Sequence, residues 1–118
     1  MSKDDLITAL RTLGAIRHKR GVSIMPVWLS FDSNKSMLAI SEQRSAATAM
    51  LPASGSWPPA GATVDLFSLR NAASGTDQEA IMLAAIEDAI LIPTSRGHVT
   101  LKLLPFGPAS RRVRGQLF

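Results

Sequence analysis

Apolar positions recur along this chain with two different periods, and the changes from one to the other divide it into elements. Leu6, Ile7, Leu10 and Leu13 fall three and four residues apart, the spacing of one buried helix face, while Asp4, Thr8, Arg11 and Thr12 lie opposite. Ser2 is placed to cap that helix, and Asp4 and Asp5 sit in its first turn, where the helix dipole favours carboxylates. Carried on to residue 20, the helix would turn Arg17 and Arg20 onto its apolar side. The spacing therefore predicts an end near Ile16, with residues 17–21 as an exit turn stopped by Gly21.

Over residues 23–31 the period becomes two, with Val27, Leu29 and Phe31 on one face and Trp28 on the other. Pro26 cannot donate to a strand ladder, which puts it at a strand start or edge. Asp32, Ser33, Asn34 and Lys35 are turn residues, and 37–41 reads as the return strand with Leu38 and Ile40 facing together. A third strand is expected over 44–51, its Ala46, Ala47 and Ala49 leaving room for a bulky neighbour. Residues 52–62, rich in Pro, Gly and Ser, read as a loop. Trp57 within it is either a lid on the core or an exposed anchor for a partner.

The same pattern then returns. Asp65 is a second cap, for a helix over 66–73 that buries Leu66, Phe67 and Leu69 and has Gly75 beyond its end. Strands are expected over 79–85, 89–93 and 98–104, with turns at Glu87-Asp88 and Ser95-Arg96-Gly97. Val99, Leu101 and Leu103 alternate with Thr100 and Lys102, so one face of the last strand should be dry and the other wet. The order is helix, three strands, helix, three strands: an α+β chain of two helix-plus-three-strand-meander units, packed as a two-layer sandwich. Residues 1–108 form the expected domain and 109–118 a flexible basic tail.

Length and composition fit one globular domain: 118 residues, 46% apolar and 19% charged. The opening Met-Ser-Lys-Asp-Asp has no apolar signal run, and no stretch approaches the ~20 apolar residues that cross a bilayer, so a cytoplasmic protein without a membrane partner is expected. The net charge of +4 is unevenly placed. Arg17, Lys19 and Arg20 make one cluster and Arg111, Arg112 and Arg114 another; outside them seven basic residues face nine acidic ones. Such clusters suit phosphate, although clustered charge is equally what a solvated loop and tail would carry.

Catalytic chemistry finds little footing. There is no cysteine, which excludes disulfides, thiolate metal sites and a cysteine nucleophile. His18 lies within a basic cluster that repels cations, and His98 begins a strand eighty residues later, so no metal-ligand spacing arises. Asp4 and Asp5 open a helix, and Glu87 and Asp88 make a turn; both pairs stay hydrated, whereas acid–base work needs a raised pKa. No Gly-x-Ser-x-Gly elbow and no phosphate-cradling glycine loop is present. A non-enzymatic protein without cofactor or metal is expected.

The segments DLITALRTLGAI, IMPVWLSFDSNKSMLAIS, GATVDLFSLRNAAS and AIMLAAIEDAILIPTSRGHVTLKLLP, taken in that order, resemble one domain of a DNA sliding clamp, the processivity-ring family that includes the bacterial polymerase beta subunit. The resemblance runs from about Asp5 to Pro105 and lies in topology and spacing, with no signature motif. It implies a homo-oligomeric ring with sheets outside and helices lining a hole for duplex DNA. Arg11 and Arg70 would then face the phosphates with Arg17, Lys19 and Arg20 at the rim, and the tail arginines Arg111, Arg112 and Arg114 would add contacts. It also implies replication or repair proteins as partners. Clamp domains carry a strand before their first helix that this chain lacks at that place, which leaves a sheet edge bare or free for a partner. The closing Gln116-Leu117-Phe118 is similar to the Gln-Leu-x-Leu-Phe peptides that dock on bacterial clamps, with the intervening positions compressed. It raises the alternative of a protein-interaction module that binds no DNA; an unstructured C-terminus that happens to end in apolar residues is the plainer reading of the same tripeptide.

Overall fold

The computed structural model describes residues 1–15, 24–104 and 113–118. Helix α1 spans Lys3–Gly14 and is capped as its sequence requires: the Ser2 hydroxyl accepts from the Asp5 N–H, and Asp4 and Asp5 occupy the first turn. Leu6, Ala9, Leu10 and Leu13 are buried. Strands β1 (Pro26–Asp32), β2 (Met37–Glu42) and β3 (Thr48–Pro52) follow as an antiparallel meander. After the two-residue β4 (Gly55–Ser56), β5 (Ala62–Asp65) pairs with the free side of β1. This first sheet has the order β3-β2-β1-β5. Its inward row is Val27, Leu29, Leu38, Ile40, Leu51 and Val64, as a period of two demands.

Asp65 ends β5 and caps α2 (Leu66–Gly75) with no residue between. Its carboxylate accepts from the N–H and hydroxyl of Ser68 and, through the other oxygen, from the Met25 N–H just before β1. One side chain thus fixes both the helix start and the strand beside it. The second sheet contains β6 (Leu83–Glu87), β7 (Ala89–Thr94), β8 (Gly97–Lys102), β9 (Val113–Leu117) and the short β4, in the order β4-β9-β6-β7-β8. The chain is therefore α+β, with two helices and two antiparallel sheets. One apolar core joins the inner faces of both sheets to both helices; α1 packs on α2 and β3, and α2 on β5 and β8.

The two halves are built alike. In each, a meander carries an extra strand on the outer side of its first member: β5 on β1 and β9 on β6. The strand β5 leads directly into α2. On the other half Leu83 pairs with Leu117, and two residues earlier Ile81 exchanges two 2.8 Å backbone bonds with Met1, with Ser2 bridged to Ala80. Counted along that edge, Met1 takes the place directly after Phe118, so the end of the chain and its start together supply the strand that enters α1.

This corrects two expectations. The edge of β6 is not bare, and residues 113–118 are not a flexible tail: β9 is an interior strand, and Leu117 is fully buried. Residues 109–112 lie outside the described residues. The loop expected over 52–62 also carries structure, namely β4 and the start of β5. Strand β3 begins at Thr48 rather than at 44, because the Glu42 carboxylate accepts from the N–H groups of Arg44 and Ser45 and from the Ser45 hydroxyl, and Ala46 adopts a left-handed φ of 58°. Strand β6 begins at Leu83 rather than at 79, since Ala80 and Ile81 are engaged by Ser2 and Met1. On β8 Leu101 is buried but Val99 is 36% exposed, because β8 is an edge strand.

Trp57 is a lid that has become part of the core. Its indole N–H donates to the Leu29 carbonyl of β1 at 3.0 Å, so a residue beside the second sheet is tied to the first. The crossing requires Gly115: a Cβ there would stand 2.6 Å from the Ser56 carbonyl oxygen and 2.9 Å from the Trp57 Cα.

Candidate functional site

The helix pair places two of the expected basic residues toward the end of α1. Arg11 is exposed in the last turn of α1. Arg70 rises from α2, half-buried, with its guanidinium carbon 5.4 Å from the Phe67 ring centroid. Its head reaches the end of α1, where a Cβ added to Gly14 would lie 3.5 Å from Arg70 Nη1. A cation at a helix C-terminus is favoured by the helix dipole, and the aromatic face fixes its direction. The next basic residues in sequence are Arg17, Lys19 and Arg20, which lie outside the described residues. The remaining exposed side chains of the two helices include Thr8, Thr12, Ser68 and Asn71 and the acidic Asp4 and Asp5 at the far end of α1. Apart from Lys3 in the first turn of α1, whose ammonium donates to the Thr76 carbonyl, the positive charge of the pair lies toward the end of α1.

Arg114 does not belong to this patch. It stands opposite Ile86 on the face of the second sheet turned away from the core, so the sheet separates it from the helices. Arg111 and Arg112 lie outside the described residues. The closing tripeptide is divided by strand alternation: Gln116 and Phe118 are exposed, and Leu117 points into the core, away from any partner docked on the exposed face. Gln116, Arg114 and Phe118 instead help line an open groove of about 630 Å3 with Ser56, Ala84 and Ile86. Phe118 is 50% and Ile86 41% exposed, large for apolar side chains. Sequence reasoning missed this groove because it read 109–118 as unstructured; the alternation of Arg114, Gln116 and Phe118 around Leu117 was the available signal.

Among the described residues no three His, Cys, Asp or Glu side chains could hold one metal ion, and no helix is long and apolar enough to cross a membrane. His98 is exposed on β8, and Glu87 and Asp88 are exposed at their turn. Burial against Ile81 pushes the Met1 α-amino group below its ordinary 8.0. No family model, no curated protein and no solved structure matches the chain.

Proposed function

We propose that this chain is a non-enzymatic, clamp-like binding domain that takes duplex DNA without sequence preference at the end of α1, working as an oligomer. The observation that carries the reading is the position of Arg70, held over the end of α1 one turn from Arg11, with three further basic residues next in sequence. The matching strand orders of the two halves, with α1 and α2 packed side by side, are in keeping with the resemblance to sliding clamps. The described residues hold eight of the thirteen basic residues and all nine acidic ones, so cationic contacts depend heavily on the segments around 17–20 and 111–112. Affinity is correspondingly modest: a monomer neutralising about three phosphates loses about 40-fold between 50 and 200 mM salt, and retention on DNA needs several copies acting together. Replication or repair proteins remain the partner class.

A second reading, a protein-interaction module, is favoured by the groove on the far face of the second sheet, where Ile86 and Phe118 are exposed beside Arg114. One set of titrations separates the two. Duplex DNA is titrated at 50 and 200 mM salt into the unaltered chain, Arg70→Ala and Phe118→Ser, and solution mass is measured in parallel. The DNA reading expects binding at 50 mM salt that Arg70→Ala weakens, with a salt slope smaller by about one, and that Phe118→Ser leaves alone. Absence of binding at 50 mM salt removes it. A fall in mass or partner binding on Phe118→Ser alone favours the second reading.

A further inference from the structure

We propose that β9 is an exchangeable strand, and that the slot between β4 and β6 accepts the C-terminal strand of a second copy of this chain. The inference concerns the slot and its occupant, and it stands whether or not the helix end binds DNA.

The sheet order carries the argument. In β4-β9-β6-β7-β8 the element that precedes β9 in sequence, β8, lies three places away. No hairpin therefore holds β9 in position. Every pairing it makes is with sequence-distant residues: Leu83 to Glu87 on one side, Gly55 and Ser56 on the other, and Ser54, which exchanges two backbone bonds with Phe118. Any copy of the chain presents the same set.

The slot is also shaped for this segment. Position 115 must be glycine, because Ser56 and Trp57 occupy the space of a side chain, and position 117 fills the core. Met1 and Ser2 close the far end by pairing with Ile81 and Ala80, which limits the length accepted. With β9 withdrawn, β6 and β4 would expose unpaired backbone groups beside an apolar void, a state that recruits a strand. The occupant with the right register, glycine and leucine is the same segment of another molecule.

The covalent connection sets when this happens. Residues 103–112, ten in all, join β8 to β9 across three strand spacings. That span is about 14 Å; Leu103 and Leu104 are held on the Asp88 and Thr63 carbonyls, and the eight residues after them reach about 26 Å, so the strand can return to its own sheet. The link gives β9 a local concentration on the order of millimolar; below it the closed monomer prevails, and near it exchange competes.

Engineered disulfides test the proposal cleanly, since the chain contains no cysteine. Ser56 and Gln116 are register partners on β4 and β9, both exposed, at the separation a disulfide needs. The full-length double variant Ser56→Cys/Gln116→Cys is unfolded, refolded at about micromolar and at about millimolar concentration, oxidised, and run without reductant. The proposal expects disulfides within single chains at the low concentration and covalently linked chains at the high one. An equal mixture of the two single variants, Ser56→Cys and Gln116→Cys, is then refolded at high concentration. It gives the mixed dimer, bonded from position 56 of one chain to position 116 of the other, well above either symmetric dimer. Bonds that stay within one chain at every concentration, or a mixed dimer no stronger than the symmetric ones, overturn exchange. Failure of any bond to form overturns the placement of β9 itself.

Discussion

Replacing Leu117 with alanine is expected to lower the stability of this domain by about 2–5 kcal/mol, the range for removing a fully buried leucine side chain. Leu117 has no exposed surface, stands opposite Leu83 and belongs to the single core cluster. A domain stable by roughly 5–15 kcal/mol would lose a large part of its margin. Urea unfolding followed by circular dichroism should show a lower midpoint with an unchanged slope. Gln116→Ala and Arg114→Ala, one and three residues away on the exposed face, should stay within about 0.5 kcal/mol of the parent. Equal and negligible effects at all three positions would return the segment to the status of a tail.

Trp57 is the second position of large effect. Alanine there should cost about 3–5 kcal/mol, because it empties the space between the two sheets. Phenylalanine fills most of that volume but removes the indole N–H from the Leu29 carbonyl, which keeps its ladder partner Ala62; loss of that one hydrogen bond should cost about 0.5–1.5 kcal/mol. Fluorescence offers a second readout. Trp28 is only half-buried, with its indole N–H on the Ala60 carbonyl, so removing Trp57 should delete the more buried emitter and shift the remaining emission to the red. If Trp57 were instead a free anchor for a partner, both substitutions would leave stability and the emission maximum almost unchanged.

Local features were the legible ones. Ser2 and Asp65 announced both helix starts, Asp32 shapes the first hairpin turn by accepting from the Asn34 and Lys35 N–H groups, and Leu38 and Ile40 face together as their spacing requires. What the sequence hid was long-range pairing. A two-residue strand such as β4 has no periodicity to detect, and β5, at four residues, is buried along Ala62–Val64 without alternation. Strand β9 was hidden by its composition: Arg114, Gly115 and Gln116 score poorly as strand residues, and their pairing depends on partners some thirty and sixty residues away. The same reason separates the expected site residues. Arg70 reaches the end of α1 that carries Arg11 because the helices pack together, whereas Arg114 faces away from the core on another sheet. The tripeptide 116–118 resembles one recognition unit in sequence, and the alternation of a strand divides it.

Both functional readings and the proposed exchange rest on two like halves closed by β9 beside β6. Amide hydrogen exchange measured on the native chain tests that arrangement most directly. The amides across Gly115 to Phe118 should be protected to the same degree as those of β6, orders of magnitude slower than an open chain. Exchange at the open-chain rate over those residues, with β6 and β7 still protected, would contradict it.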